Sequence, residues 1–243
     1  MSDTVLSLRG ATKRFGGLVA VDAIDCDVRA GQVLGLIGPN GSGKSTTLNL
    51  ISGALAPTAG EISLRGVAIG GLRADKIAKH GISRTFQLVR LLPSMNVEQN
   101  IIAGAVFGHR RRWGGTVNAE AARLAERVGL AGKGHMSVGQ LTYIDTKRVE
   151  LARALASDPK VLLLDEWLAG LNPTELQVGI ALIQSLRDEG RTIILVEHVM
   201  DAIRSLCDCC VVMSSGAKIA QGTPDEVLSD PEVIRAYLGD DDA

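Results

Sequence analysis

Short apolar runs bounded by glycine or acidic turns recur along this chain. They are, in order, VLSLRG, QVLGLIG, GEISLRG, HGISRTF, KVLLLDE, RTIILVEH and CCVVMSSG. Helical patterns separate several of them, at Lys44–Ile51, Val117–Val128, Thr146–Ala156, Pro173–Asp188 and His198–Leu206. Buried strands that alternate with helices predict a mostly parallel sheet covered on both faces. The fold class is therefore α/β.

Two parts of the chain depart from this alternation. The segments before Gly31 and around Glu61 have the character of antiparallel hairpin strands. From residue 89 to residue 156 the pattern is helical, with PS, GG and GKG breaks and no convincing strand. We therefore predict one domain over residues 1–243, with an N-terminal antiparallel β piece and a helical subdomain, residues 89–156, inserted in the core.

Composition narrows the classes of protein. Hydrophobic residues make up 46% and the net charge is -1, so the chain can bury a core and has no general attraction for nucleic acid. We interpret the basic cluster GHRRRWGG as a solvated loop that could lie near lipid headgroups, not as a nucleic-acid patch. No apolar run approaches the roughly 20 residues that span a bilayer, and the N-terminus lacks a signal-peptide pattern. We expect the chain to stay in the cytosol.

Three of the four cysteines lie close together in LCDCCVVM, at the start of a predicted strand. A zinc site would need a second pair at ligand spacing, which the sequence does not contain. We therefore expect reduced thiols in the core.

The strongest motif is GPNGSGKST, which follows the strand VLGLIG and precedes a helical run. It matches G-x-x-x-x-G-K-[ST], whose glycines let backbone N–H groups curl around phosphate oxygens at a helix N-terminus. Lys44 would reach the β- and γ-phosphates, and Ser45 would ligate Mg²⁺. The predicted phosphate-binding residues are Gly38, Asn40, Gly41, Ser42, Gly43, Lys44, Ser45 and Thr46.

A second motif is KVLLLDE, in which Asp165 emerges at the carboxyl end of a buried strand. Ligands collect at this end of the strands in open parallel sheets. We predict that Asp165 holds Mg²⁺ directly or through water, and that Glu166 points toward an attacking water. The simpler alternative is an acidic pair that caps the following turn.

These motifs and four others carry a family resemblance. GPNGSGKST, Gln87 after ISRTF, the loop before RVELARAL, VLLLDE, AGLN and His198 in VEH stand in the order and at the spacing of ATP-binding-cassette (ABC) ATPases. The resemblance implies a P-loop NTPase fold, ATP and Mg²⁺ as cofactors, and ATP hydrolysis as the reaction. It also implies that Gln87 senses nucleotide at the metal and faces a membrane partner, that His198 contacts the γ-phosphate, and that Phe15 stacks on adenine. Without the family resemblance, we would interpret His198 as a surface histidine and Phe15 as a packing aromatic in a turn.

The family's loop LSGGQ or LSYGQ begins seven residues before the arginine of R-x-x-x-A-R-A-L. Counting back from Arg148 gives LTYID as this loop, whereas the similar MSVGQ lies five residues too early. Such a loop presents a hydroxyl and a helix N-terminus to the γ-phosphate bound by another subunit, so two subunits must pair head to tail. Thr142 keeps the hydroxyl.

Two residues of LTYID differ from the family pattern, Ile144 and Asp145. Ile144 replaces a glycine where backbone should approach phosphate. We expect Asp145 to cap the helix with its carboxylate and to repel the phosphate, since charges ~5 Å apart at a dielectric of ~20 interact by ~3 kcal/mol before screening. The hypothesis is a weakened composite site and a second, non-identical ATPase as partner. The alternative is that Asp145 turns into solvent and Thr142 suffices.

Several longer phrases resemble the ATPases of branched-chain amino-acid importers. They are KRFGGLVAV, ISRTFQLVRLLPSMNVEQNI, AGLNPTE, VEHVMDAI and GTPDEVLSDPEVIRAYLG. The resemblance implies transmembrane permease subunits as partners, a solute-binding protein acting indirectly, and a cytoplasmic position on the inner face of the membrane. Lipopolysaccharide-export ATPases look similar over the same core. Trp167 stands where the family usually has proline.

Two other classes remain open. A non-transport cassette protein is disfavoured by the single P-loop and by the lack of a long heptad segment. A regulatory nucleotide-binding subunit with weak hydrolysis is compatible with the altered LTYID loop.

Overall fold

The computed structural model describes residues 3–110 and 112–238 of the chain. Its described residues form ten strands. They are β1 (Thr4–Phe15), β2 (Leu18–Arg29), β3 (Val33–Ile37), β4 (Ala59–Leu64), β5 (Val67–Ala68), β6 (Ile82–Arg84), β7 (Val161–Asp165), β8 (Thr192–Val196), β9 (Cys209–Ser214) and β10 (Ala217–Gly222).

The strands form two sheets. The larger has the order β10-β9-β3-β8-β7-β6, in which all neighbours are parallel except β9 and β10. The smaller is antiparallel, with the order β2-β1-β4-β5. Every residue of β3, β7 and β8 is buried, as expected for parallel strands covered on both faces.

Helices cover the central sheet and fill the interval between β6 and β7. They are α1 (Lys44–Ile51), α2 (Ala74–His80), α3 (Val97–Phe107), α4 (Gly115–Arg127), α5 (Tyr143–Ala156), α6 (Pro173–Asp188), α7 (Met200–Leu206), α8 (Pro224–Leu228) and α9 (Pro231–Leu238). Asparagine caps with reciprocal Gln or Glu bonds start α3 and α6, so the local sequence fixes both beginnings. None of the helices in the described part of the chain combines the length and the apolar character that a membrane span requires.

The predicted fold class is confirmed, with an antiparallel N-terminal sheet beside a mostly parallel one. All seven apolar runs contain strands. Three helix starts were predicted wrongly: α4 begins at Gly115 instead of Val117, α5 at Tyr143 instead of Thr146, and α7 at Met200 instead of His198. In the described residues between β6 and β7 the chain forms α3, α4, a short 3₁₀ helix at Val138–Gln140 and α5.

The basic cluster GHRRRWGG lies on the surface as far as it is described. Arg110 has a side chain 70% exposed and pairs with Asp158 at 3.3 Å, and Arg112 pairs with Glu120. Arg111 lies outside the described residues. The four cysteines are free thiols, and Cys26, Cys207 and Cys210 are buried as predicted, whereas Cys209 is only partly buried.

Candidate nucleotide-binding site

The turn between β3 and α1 contains two glycines, Gly38 and Gly43, that no other residue could replace without a clash. Gly38 has φ 144° and Gly43 has φ 104°, conformations that side-chain-bearing residues rarely adopt. A Cβ on Gly38 would lie 2.1 Å from the carbonyl oxygen of Met213, and one on Gly43 would lie 2.5 Å from that of Ala20. Helix α1 starts directly after Gly43. Its first N–H groups have no intrahelical partner and point toward the N-terminal end of the helix, where the turn lies.

Lys44 is buried at the start of α1, with only 5% of its surface exposed. Its Nζ donates to the carbonyl oxygens of Gly38 at 2.7 Å and Pro39 at 2.8 Å. Burial lowers the pKa of Lys44, while Glu166 and Asp165 act in the opposite direction. The ammonium group therefore lies at the turn with two carboxylates near it.

A cavity of about 420 Å³ opens above this turn. Its lining residues are Leu18, Val19, Ala20, Asn40, Gly41, Ser42, Gly43, Lys44, Ser45, Thr46, Glu166, Ser215 and Gly216. The hydroxyl of Ser42 is buried and has no hydrogen-bond partner among the described residues, which fits a group that completes its bonds with a ligand. Phe15 is 46% exposed at the end of β1, and its strand partner Leu18, rather than Phe15 itself, lines the cavity.

Asp165 ends β7 and is 4% exposed. Its Oδ2 accepts a hydrogen bond from the Arg84 guanidinium at 2.6 Å, and Arg84 also donates to Asn49 Oδ1 at 2.7 Å. The other oxygen, Oδ1, is buried without a partner among the described residues. One oxygen of Asp165 is therefore held by Arg84, and the other is left without a partner among the described residues.

Glu166 follows Asp165 and joins two residues that are distant in the sequence. Its Oε2 accepts a hydrogen bond from Gln87 Nε2 at 2.7 Å, and its Oε1 lies 3.1 Å from His198 Nε2. Gln87 and His198 therefore both contact Glu166, and Glu166 lines the cavity together with Lys44 and Ser45.

The structure corrects the expectations for Asp145. Thr142 is the N-cap of α5, and its Oγ1 accepts a hydrogen bond from the Asp145 N–H at 3.3 Å. The Asp145 carboxylate neither caps α5 nor turns into solvent: it is 3% exposed, with Lys133 Nζ at 2.5 Å and an Arg148 guanidinium nitrogen at 3.4 Å. Two cations neutralise the charge on which the predicted repulsion depended.

Sequence reasoning missed Glu150, which holds the segment that carries Gln87. Glu150 is 1% exposed, and its carboxylate accepts hydrogen bonds from the N–H groups of Phe86 at 3.1 Å and Arg90 at 2.9 Å. Burial raises its pKa. Its signal in the sequence is a charged residue four positions before the buried Ala154, on the same helix face, where an apolar residue would be expected.

Glu197, the residue before His198, supports the turn after Glu166. It is 1% exposed, and its Oε1 accepts a hydrogen bond from the Leu168 N–H at 2.6 Å. Its Oε2 has no partner among the described residues. Burial raises the pKa of Glu197 to about 7, against the opposing effects of the Leu168 N–H and the Lys147 charge.

A glycine turn between the strand β3 and the helix α1, with its lysine and with an aspartate at the end of β7, two strands away in the same sheet, defines the class: this is a P-loop nucleotide-binding protein. The model of the ABC transporter family matches residues 21–169. The model of the branched-chain amino acid ATP-binding cassette transporter matches residues 217–243. The chain belongs to the ATP-binding subunits of the ABC transporter family and is an ATPase of that family.

Relatives and solved structures match over almost the whole chain. The chain is 40% identical to the high-affinity branched-chain amino acid transport ATP-binding protein BraF of Pseudomonas aeruginosa, over 99% of this chain and 100% of the relative. It is 38% identical to LivG of Escherichia coli, with the same coverage. The crystal structure of MJ1267 in its ADP conformation, an ATP-binding cassette of an ABC transporter, aligns with a TM-score of 0.88 at 30% identity, covering 98% of this chain and 99% of that one.

Asp145→Asn tests whether this carboxylate serves stability or acts on phosphate. The change removes a buried charge from between two cations, so we expect the free energy of unfolding to fall by about 1–3 kcal/mol. Urea denaturation of the purified chain measures this, with Asp201→Asn on an exposed position of α7 as the control. Faster ATP hydrolysis by Asp145→Asn at unchanged stability would show that the carboxylate does repel the phosphate.

Glu197→Gln tests the raised pKa. Because the folded pKa, about 7, lies above the ordinary 4.5, protonation of Glu197 stabilises the fold fully below pH 4.5, and this stabilisation is lost as the pH rises through 7. The variant lacks this dependence. We therefore expect its unfolding free energy, relative to the parent chain, to rise by about 3 kcal/mol between pH 4.5 and pH 7.5.

Chemical denaturation across this pH range measures the difference, and the exposed Glu232→Gln is the control. A difference that stays constant with pH would mean that Glu197 titrates normally.

Proposed function

We propose that this chain is the ATP-hydrolysing subunit of an importer for branched-chain amino acids. Its relatives BraF and LivG are named as branched-chain amino acid transport ATP-binding proteins, and each aligns over its full length. The C-terminal residues 217–243 also match the branched-chain model, which favours this solute class over lipopolysaccharide export.

The same proposal implies which proteins the chain works with. It binds transmembrane permease subunits at the inner face of the membrane, and a solute-binding protein acts through them. Its P-loop pairs with the Thr142-type loop of a second ATPase, head to tail, because one chain's P-loop and Thr142 loop cannot serve the same nucleotide. The similar cassette MJ0796, at 25% identity and a TM-score of 0.82, has a dimeric structure. With Asp145 neutralised, Ile144 is the remaining reason to expect that the second ATPase is non-identical.

Glu166 is the proposed base that orients and deprotonates the attacking water. The observation that carries this role is the pair of hydrogen-bonding contacts to Gln87 and His198 at the cavity wall, which fix both carboxylate oxygens. His198 then steadies the γ-phosphate, and Gln87 reports on the occupied site to the permease. Lys44 contacts the β- and γ-phosphates from the glycine turn.

Mg²⁺ fits the available donors beside this carboxylate. The free Oδ1 of Asp165 and the hydroxyl of Ser45 are oxygen ligands of the kind that Mg²⁺ prefers, with Gln87 as a further ligand. When bound, the ion neutralises charge on the phosphate oxygens. Phe15 is the proposed platform for adenine, beside the cavity wall at Leu18. Residues 89–156 form the proposed helical subdomain, which together with Gln87 faces the permease.

Glu166→Gln tests the catalytic assignment. The amide keeps the shape of the side chain but cannot accept a proton, so we expect phosphate release by the assembled complex to fall at least ~100-fold while ATP binding is retained. Phosphate release and binding of a fluorescent ATP analogue measure the two effects. Glu61→Gln, exposed on β4, is the matched control. Normal phosphate release from Glu166→Gln would remove Glu166 from the reaction.

Transport by the reconstituted complex tests the solute class. Proteoliposomes that contain the permease subunits and both ATPases, with ATP on the side of this chain, should accumulate leucine, isoleucine or valine when the binding protein is present. Glu166→Gln in this chain should abolish uptake. ATP-dependent movement of a different solute, with none of these three amino acids transported, would refute the substrate class and leave the ATPase assignment intact.

A further inference from the structure

Lys147 is the most deeply buried cation of the described chain outside the P-loop, with 1% of its surface exposed. It lies on α5 and points its ammonium group at three backbone carbonyl oxygens. The distances from Nζ are 2.7 Å to Ala169, 2.9 Å to Trp167 and 3.3 Å to Glu166. An ammonium has three N–H donors, so these carbonyls satisfy all of them.

Trp167 in turn donates a hydrogen bond to the backbone of Lys147. Its indole Nε1 donates a hydrogen bond to the carbonyl oxygen of Lys147 at 3.2 Å, and its ring is 2% exposed. Gly179 of α6 leaves room for the ring, since a Cβ there would lie 3.2 Å from Trp167 Cζ3. A proline at position 167 could neither fill this space nor donate the bond. Trp167, which departs from the family pattern, therefore forms two hydrogen bonds with Lys147: its carbonyl oxygen accepts one and its indole donates the other.

The turn that Lys147 holds has a strained backbone at Glu166. Glu166 has φ 49°, in the left-handed region that residues other than glycine rarely populate. Its N–H donates to the carbonyl oxygen of Val196 at 2.9 Å, and its own carbonyl accepts from Lys147. Both backbone groups of Glu166 are thus fixed, one by the neighbouring strand and one by α5.

We propose that Lys147 is a positioning residue for ATP hydrolysis, which holds Glu166 in its left-handed conformation so that the carboxylate meets Gln87, His198 and the cavity. This inference rests on the proposed role of Glu166. Lys147 does not line the cavity, and its ammonium group acts on Glu166 through the backbone of residues 166–169. If Lys147 only stabilised the core, the bond between Glu166 and strand β8 would by itself determine the conformation of Glu166.

Lys147→Met tests the proposal in the complete complex with its permease subunits and second ATPase. Methionine keeps the length and the apolar stem but donates no hydrogen bond. We expect kcat for ATP hydrolysis to fall at least tenfold and the KM for ATP to stay within twofold, because the P-loop cavity is unchanged.

The matched control is Val149→Ala, two residues along the same helix and fully buried. The change removes two buried methyl groups and leaves the hydrogen-bond donors of Lys147 and Trp167 in place, so we expect a lower melting temperature and a kcat within twofold of the parent complex. Trp167→Phe is the milder second variant, which keeps an aromatic ring but loses the hydrogen bond to the Lys147 carbonyl oxygen and part of the volume of the buried indole. We expect it to lower kcat about threefold at unchanged KM, so it decides the question where Lys147→Met yields no assembled complex.

Three results would overturn the proposal. The first is an unchanged kcat in both Lys147→Met and Trp167→Phe, and the second is a rise in KM alone. The third is a kcat that falls in proportion to the melting temperature in all variants, Val149→Ala included. Failure of the proposed function is distinguishable from these. In that case the parent complex would not hydrolyse ATP, or Glu166→Gln would hydrolyse it at the parent rate.

Discussion

The site depends on the parallel pairing of β6, β7, β8 and β3. Parallel neighbours end at the same edge of a sheet, so the residues that follow these four strands meet there although the sequence separates them widely. Gly38 follows β3, Asp165 ends β7 with Glu166 directly after it, His198 comes shortly after β8, and Gln87 lies three residues beyond β6. An antiparallel partner in place of any of these strands would send its residues to the opposite edge. The continuous burial of β3, β7 and β8 is what makes the parallel arrangement stable, since both faces of the sheet are covered.

Helix α5 is unusual in burying charges rather than only apolar side chains. Asp145, Lys147 and Glu150 are each at most 3% exposed. A buried charge without partners is strongly unfavourable, so such a helix can form only where specific groups meet each charge. Asp145 meets Lys133 and Arg148, whereas Lys147 and Glu150 meet backbone groups of two loops. The requirement to satisfy these charges therefore specifies the conformation of those loops.

The sequence predicted the fold class and the segments that contain the parallel strands β3, β6, β7, β8 and β9, because buried parallel strands leave continuous apolar runs between turns. It did not predict the antiparallel edge strand β10. It also identified Gln87, Glu166 and His198, which the structure brings into contact, although only the family resemblance selected Gln87 and His198. It could not predict the partners of Asp145, since nothing in the sequence places Lys133 beside it. The carboxylate looked like a cap because aspartate is a good cap, but Thr142 stands three residues before it and takes that role. Arg84 was missed for the same reason, because its bond to Asp165 joins residues 81 positions apart.

The two loops that deliver Gln87 and Glu166 share one anchor. Glu150 holds the first through the N–H groups of Phe86 and Arg90, and Lys147 holds the second through the carbonyls of residues 166, 167 and 169. Lys147 and Glu150 are three residues apart on a helix, which puts them on the same side and about 4.5 Å apart along its axis. The distance between Gln87 and Glu166 is thus set by the rigid spacing of two residues on one helix and not by two flexible segments. A hydrogen bond of 2.7 Å between side chains on separate loops is sensitive to small displacements, and a common helix limits the relative displacement of the two loops.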